Sequence, residues 1–477
     1  MKIPLQKTAG WLQVPAWMWL AFVVSVGVGF FSSILDKQLA VQLTIILSVF
    51  FPALIMAETD SKWLIPYILF VWAVNPEIRR LFEWYHNEYH PVSLFSVLPL
   101  LVTLTVIIPI VRRRWEMTPV IRNVLILFLI ALIYGLAIGM IRNGFASLFD
   151  FANYIVPLLF LVYAELRSHG HAERRLWMKS YVNIALLVAV YGIIQFFVVP
   201  PWDAFWMNEV EMSTNGLPVP YEIRVFSSLN SPGPAGMFMS VALMAMLVEK
   251  EWRGFMGWLG VPVMALGLII TLVRASWVTM VVAILLYLIL SNAKRRAQGL
   301  LLISAIAILG VGLIPVVPGG DKLVERFQSL GNINDDYSYN DRMEFTANMI
   351  PKLLGNPFGE GLGSVGTGTK LENGGQLGQY GNFDNGFFAL FLTFGFFGAI
   401  VFFRAIWLYA KQLFRSLKTA GQADQKYVRL ALCVLISAVC YLTFENRMSG
   451  IGAAIVWFVA ALGIKPLPAI ERIEERK

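Results

Sequence analysis

The sequence predicts an all-α, polytopic bundle of transmembrane helices. Hydrophobic residues make up 57% of the chain and charged residues only 14%, where a soluble domain carries about 25% charged residues. The apolar residues fall in blocks of about 18 to 25, the length that crosses a bilayer core. Lipid offers no partner to a backbone N–H, so each block must close its hydrogen bonds within a helix. A β-barrel would show short alternating segments instead. The mean hydropathy of +0.66 agrees with this reading.

Taken in order, about 14 spans of roughly 20 residues are expected. They start near Ala16, Leu39, Trp63, Val92, Val120, Ser147, Ser180, Gly233, Phe255, Ser276, Gly299, Asn385, Val428 and Ser449. No small-residue cleavage site follows the first, so it reads as a retained helix. The third, 63–74, is short and contains Pro66, and is expected to tilt or re-enter. Residues 75–91, with Trp84, Tyr85 and Tyr89, read as an interfacial segment. Cys433 and Cys440 share one predicted helix. Seven residues of helix rise about 10 Å, too far for a disulfide, so both read as packing residues.

Basic clusters fix the orientation. Arg112 to Arg114 with Arg122, then Arg174, Arg175 and Lys179, Lys250 and Arg253, Lys294 to Arg296, and Lys411, Arg415, Lys418 and Lys426 fall in every second loop. The positive-inside rule then puts both termini in the cytoplasm. It also accounts for the net charge of +8 without a nucleic-acid partner. Two long outer loops follow, 200–232 and 318–384, both rich in Gly, Pro and Asn as functional loops often are. The chain divides into helices over 1–317, the large outer loop 318–384, and C-terminal helices with a short cytoplasmic tail over 385–477. Within the large loop a helix is expected from Asn340 to Leu354, with Asn340 or Asp341 as N-cap.

Outer loops should be poor in basic residues, so the exceptions inform. Arg142, Arg224, Arg274, Arg326, Arg342 and Arg447 all fall outside or at an outer helix end. A guanidinium fork suits phosphate or pyrophosphate. It also snorkels to headgroups, a reading that fits Arg224 and Arg342 least because they lie within the long loops. Asp384 before Asn385 reads either as a plain N-cap or as a base beside an acceptor hydroxyl. Asp150 and Glu445 are functional candidates by their depth, with Asp150–Arg142 and Glu445–Arg447 ion pairs as the alternative. Trp202, Phe205 and Trp206 could stack on sugars or form an aromatic belt. No Walker loop, zinc-spaced Cys/His set or Gly-x-Ser-x-Gly elbow occurs. No metal or cofactor is expected, and any chemistry falls to Arg, Asp, Glu and backbone groups.

Four segments together carry a resemblance. They are RVFSSLNSPGPAG at 224–236, VRASW at 273–277, DRMEFTANMI at 341–350 with GNPFGEGLG at 355–363, and FDNGF at 383–387 running into LTFGFFG at 392–398. Their order and spacing resemble the O-antigen ligase and polysaccharide polymerase superfamily, over about half the chain, from Arg224 to Gly398. The resemblance implies a helical C-type glycosyltransferase of the bacterial cytoplasmic (inner) membrane. It would work on undecaprenyl-pyrophosphate-linked glycans, without a metal, inverting the anomeric centre. By the same resemblance, Arg224 and Arg342 hold the donor pyrophosphate with Arg274 as a third contact. Asp384 stands where the ligases carry a His proposed to activate or orient the acceptor. Asn230, Asn385, Arg326, Trp202 and Trp206 complete the expected substrate-binding set. Asp at that position favours a polymerase joining repeat units into O-antigen or exopolysaccharide. A ligase that moves a finished glycan to lipid A core or protein is the alternative. A transporter, the third reading, predicts inverted repeats with broken helices, and no such repeats are seen. The expected partners are a lipid-linked saccharide, membrane lipids and a chain-length regulator.

Overall fold

The computed structural model describes residues 37–112, 117–167, 170–210, 215–294, 296–297, 299, 337–381, 383 and 385–464, with the backbone alone at 37 and 337–343. Among these residues all regular structure is helical, apart from one bridge between Gly216 and Ile223. Six helical stretches are long and apolar enough to cross a membrane: Gln38–Glu58, Leu94–Val111, Pro119–Arg142, Gly144–Leu166, His171–Val198 and Gly386–Thr419. Four shorter apolar helices, Pro232–Val248, Gly260–Ile270, Arg274–Ile289 and Gly450–Leu462, pack among them. The chain is a multi-pass membrane protein. The span expected at Ala16, and all but the first residue of the one at Gly299, lie outside the described residues.

In chain order the helices are α1 (Lys37–Glu58), α2 (Leu64–His86), α3 (Leu98–Leu104), α4 (Ile107–Val111), α5 (Pro119–Arg142), α6 (Gly144–Leu166), α7 (His171–Val198), α8 (Pro201–Val210), α9 (Pro232–Val248), α10 (Gly260–Ile270), α11 (Arg274–Ile289), α12 (Tyr337–Gly355), α13 (Gly386–Thr419), α14 (Gln422–Tyr441) and α15 (Gly450–Leu462). Two ends can be told apart by their ion pairs. At one, Glu58 pairs with Arg112, Arg167 with Glu173 at 2.8 Å, Arg174 with Asp424 and Lys426 with Glu251. These residues come from the loops in which the basic clusters were expected. At the other end the loops bearing Arg142, Arg224, Arg274 and Arg447 gather.

Two sequence expectations need correction, and two other regions gain detail. Residues 63–74 are not a short tilted piece followed by an interfacial segment: α2 runs unbroken through Pro76 to His86. Its polar residues Asn75, Glu77, Arg80 and Glu83 are buried against protein, so their charge did not mark a surface. The outer loop 200–232 contains α8, which packs on α2. The span expected at Val92 is present as Leu94–Val111, in three consecutive helical pieces: a 3-10 turn (Leu94–Val97), α3 and α4. Near the junction of α3 and α4, the Thr103 and Thr105 hydroxyls donate back to the carbonyls of Pro99 and Val102, a competition that bends helices. Finally, α12 begins at Tyr337, which puts Asn340 and Asp341 inside the helix and not at its cap.

The glycine-rich segment after α12 sits inside the bundle. Helix α13 kinks at Gly395, where φ is +61°. In an unbroken helix the Phe396 N–H would reach the Leu392 carbonyl. Here Phe396 N donates to Pro357 O at 2.9 Å, and Leu392 O accepts from Glu360 N at 2.7 Å. Thr393 O accepts from Gly361 N at 3.0 Å, and Gly135 O of α5 accepts from Leu362 N at 2.9 Å. Asn143 Nδ2 donates to both Glu360 O and Leu362 O at 2.9 Å. Gly361, at φ +84°, lies so close to α5 that a Cβ would stand 2.2 Å from Gly139 N. Gly361→Ala is therefore expected to cost at least about 2 kcal/mol, from backbone strain and overpacking. Gly355→Ala, where a Cβ meets nothing within 4 Å, should stay within about 0.5 kcal/mol. Thermal unfolding of the two variants in detergent checks this; equal midpoints would refute the packing account.

Candidate functional site: a cation-walled cavity

A cavity of about 1170 Å³ opens at the loop-rich end. Six cations, Arg79, Arg80, Arg224, Arg274, Lys370 and Arg447, line it against two carboxylates, Asp150 and Glu445. Residues in the first turns of α9, α11 and α15 also line it, in the stretches 231–234, 273–275 and 449–452. Backbone N–H groups in a first helical turn have no intrahelical acceptor, and the helix dipole adds positive potential there. The starts of α11 and α15, and the Gly233 N–H between Pro232 and Pro234 at the start of α9, stand beside Arg224, Arg274 and Arg447 and favour an anion there.

The segment 224–231 runs along this wall and is held from behind. Arg80, 1% exposed, donates through Nη1 to Leu229 O and through Nη2 to Ser227 O, both at 2.6 Å. It pairs with Glu77, and its Nε lies 2.7 Å from Asp203 Oδ1. Asp203 Oδ2 accepts from Tyr191 Oη and from Gln195 Nε2, each at 2.7 Å. Gln195 Oε1 in turn accepts from Ser227 N at 2.8 Å and Phe226 N at 3.1 Å. The ring of contacts from Arg80 through Asp203 and Gln195 thus closes on the backbone of the same segment. Burial pushes the Asp203 carboxyl up from its ordinary range, while the Arg80 charge opposes that shift.

Of the expected site residues, Arg224, Arg274, Asn230 and Trp206 line the cavity. Arg224 Nη2 approaches Leu272 O at 3.5 Å, beside the start of α11. Trp206 faces Arg80, its ring centroid 5.7 Å from the guanidinium carbon. Trp202 does not line the cavity: its indole N–H points at Glu77 Oε1 (2.5 Å) and Tyr191 Oη (2.8 Å). Asn385 caps α13, its Oδ1 accepting from Phe388 N at 3.1 Å. Asp384 and Arg326 lie outside the described residues, as does the side chain of Arg342; the backbone of Arg342 belongs to α12. The Glu445–Arg447 pair forms. The Asp150–Arg142 pair does not: Arg142 meets Glu360 at 2.5 Å, and Asp150 Oδ2 accepts from Gly363 N at 3.1 Å. Asp150 is occupied by the glycine-rich segment, and Glu360 is the nearer carboxylate to Arg142.

Gly233 shows why its motif carries glycine there. A Cβ would stand 1.8 Å from Arg447 Nη2, so the first turn of α9 and the Arg447 guanidinium share one space. Arg447 Nε is buried without a hydrogen bond among the described residues. Sequence reasoning missed Arg79, Arg80 and Lys370. The first two were hidden in a stretch read as interfacial, and Lys370 is one lysine in a long loop. An Arg-Arg pair four residues before Glu83, in a run following an apolar block, was the available signal.

A helical, multi-pass bundle with an anion-attracting chamber at one end is the class that this geometry defines. The family model described as O-Antigen ligase matches residues 259–403, from just before α10 to the middle of α13. Over this segment, about a third of the chain, the protein is similar to the O-antigen ligase family, whose members are glycosyltransferase-like membrane enzymes. The matched segment includes Arg274, Arg326, Arg342, Asp384 and Asn385, whereas Arg224 and Asn230 precede it. No curated protein matches the chain.

Replacing Arg80 should destabilise the protein strongly, because Glu77 and Asp203 would be left buried without their cation. Arg80→Met is expected to cost about 3–5 kcal/mol. The drop in unfolding midpoint in detergent measures it, and a midpoint unchanged from wild type would mean that the ring of contacts does not hold the segment.

Proposed function

We propose that this protein is a polysaccharide polymerase of the bacterial cytoplasmic membrane, joining undecaprenyl-pyrophosphate-linked repeat units into O-antigen or exopolysaccharide. The observation that carries the reading is the convergence of Arg224, Arg274 and Arg447 with the starts of α9, α11 and α15 on one cavity. In this reading the cavity faces the periplasm and both termini the cytoplasm, in keeping with the basic loops at the opposite end. Arg224 and Arg274, with Arg342 from the large loop, hold the donor pyrophosphate. The acceptor hydroxyl oxygen attacks the anomeric carbon from the face opposite the pyrophosphate. The bond from that carbon to the pyrophosphate oxygen breaks, its electron pair leaves on the pyrophosphate, and the configuration inverts in one displacement.

Charge grows on the leaving group in the transition state, and fixed guanidiniums stabilise it there without reorganising. No metal ion is invoked. Asp384 takes or orients the acceptor's proton; between Phe383, which lines the cavity, and Asn385, which caps α13, it is close in sequence to both. An ordinary Asp, with a pKa of about 3.9, is a weak base at neutral pH, so Asp384 chiefly orients the hydroxyl and takes its proton only as the new bond forms, then passes it to water. A ligase that transfers finished glycan to lipid A core or protein is the second reading, favoured by the description of the matched family.

Arg224→Ala and Arg342→Ala should each abolish polymer while leaving the protein in the membrane. Normal chain length on a polysaccharide gel from both variants would sink the pyrophosphate assignment. Asp384→Asn is expected to cut turnover by at least about 100-fold, the range of positioned acid–base groups, with little change in donor binding; equal loss of both would make it structural. Deleting the gene separates the two readings. Single repeat units on their carrier or capping the core mean polymerase, and full-length polymer held on its carrier means ligase.

A further inference from the structure

Two further cations of the cavity lining are not assigned to the donor pyrophosphate. Lys370, in the 3-10 turn Thr367–Leu371, and Arg79 of α2 both line the cavity. Arg79 Nε meets Glu83 at 2.8 Å, and Arg79 also donates to His90 O. Among the described residues Lys370 makes no ion pair. Glu83, 1% exposed, is the one carboxylate that acts on both cations. The trio carries one net positive charge. Burial, and then the neighbouring Arg79 charge, lower the Lys370 ammonium below the ordinary lysine range, which an anion placed between the two cations would reverse.

The turn that carries Lys370 is held in place. Thr369 Oγ1 donates to Gly366 O at 2.7 Å and accepts from Gly378 N at 3.0 Å. Gly375 N donates to Lys370 O at 3.0 Å, and Glu372 Oε1 accepts from Phe145 N at 2.7 Å. Little ordering is therefore left to be done when a ligand arrives. The Arg79 guanidinium lies 5.7 Å from the centre of the Tyr89 ring, which also lines the cavity. One net positive charge beside an aromatic face suits a singly charged sugar better than a pyrophosphate.

We propose that Lys370 and Arg79 form a second anion subsite, which takes a carboxylate-bearing sugar of the glycan, such as a uronic acid, apart from the pyrophosphate subsite at Arg224 and Arg274. The proposal rests on the glycan-transfer reading and names the class of glycan. A sugar carboxylate in this position would anchor the repeat unit while Arg224 and Arg274 hold the lipid pyrophosphate.

The test uses the full-length protein in lipid nanodiscs and three probes: a disaccharide ending in glucuronate, its carboxyl-reduced glucose counterpart, and farnesyl pyrophosphate. Wild type should bind the glucuronate probe about tenfold more tightly than the glucose probe, the scale of one charge-assisted contact. Lys370→Gln should erase that preference and leave farnesyl pyrophosphate affinity within about twofold, while Lys370→Arg keeps the preference. Equal binding of the two disaccharides by wild type would overturn the proposal. So would a Lys370→Gln loss shared equally by farnesyl pyrophosphate, since that is the behaviour of a general positive field. Arg224→Ala tests the other reading separately. If farnesyl pyrophosphate binding survives it, the pyrophosphate assignment fails, while the glucuronate preference still decides the sugar subsite.

Discussion

Much of this structure follows from the need to satisfy backbone hydrogen bonds away from water. In hydrocarbon an unpaired N–H or C=O costs several kcal/mol, so irregular backbone survives only where protein or an aqueous cavity receives it. The segment 357–363 obeys that constraint by exchanging partners with a helix. Gly395 breaks α13, the freed carbonyls of Leu392 and Thr393 take the N–H groups of Glu360 and Gly361, and Pro357 receives the N–H released at Phe396. Gly135 and Asn143 take up more of the same segment. A loop that would otherwise lie over the bundle becomes part of its interior, and its exit at Gly363 reaches Asp150, which lines the cavity.

The same end of the bundle collects positive potential from two independent sources. Helices α9, α11 and α15 all start there because the chain alternates direction, so their dipoles point the same way. The arginines come from different parts of the chain: Arg79 and Arg80 from α2, Arg274 from the start of α11, and Arg224 and Arg447 from loops. Opposite-end cations are mostly matched with carboxylates, as in Arg112 with Glu58 and Arg174 with Asp424. Six cations and two carboxylates line the cavity, and Glu77, Glu83 and Asp203 behind Arg80 and Arg79 offset part of that excess. Bringing like charges together in a partly desolvated space is unfavourable without an anion. The imbalance is a structural reason to look for an anionic substrate there, and it does not rest on any one arginine.

The helical membrane class and the two-ended distribution of charge were legible in the sequence because both depend on local composition and spacing. Arg224 and Arg274 stood out by breaking the positive-inside pattern. What escaped depends on contacts distant in the chain. Nothing local marks Arg80 as buried: its partners Asp203, Ser227 and Leu229 come from other elements. Glu77 alone is near in sequence, and a Glu-x-x-Arg pair on a helix is usually a solvated ion pair. Polar density around Trp84 and Tyr85 then read as an interface. Trp202 looked like a sugar platform for the same reason, since a tryptophan in an outer loop carries no sign of whether its N–H faces a ligand or a buried glutamate. The division of the span at Val92 was also silent, because threonine bends a helix only when its hydroxyl turns back to the carbonyl.

Placing Arg80 behind the wall explains how a loop without regular structure can serve as a binding surface. A loop positions a guanidinium poorly unless its backbone is fixed. Two carbonyls of 224–231 are bound by Arg80 and two N–H groups by Gln195. Arg80 and Gln195 are joined through Asp203. The segment is thus held by both its donors and its acceptors from a single connected network, from two residues beyond Arg224 to one short of Asn230. That network needs a full positive charge at its centre to offset Glu77 and Asp203, and a fork able to reach two carbonyls at once, which only arginine provides. One buried cation therefore does structural work so that the cations in front of it, at the cavity wall, can be held in place for an anion.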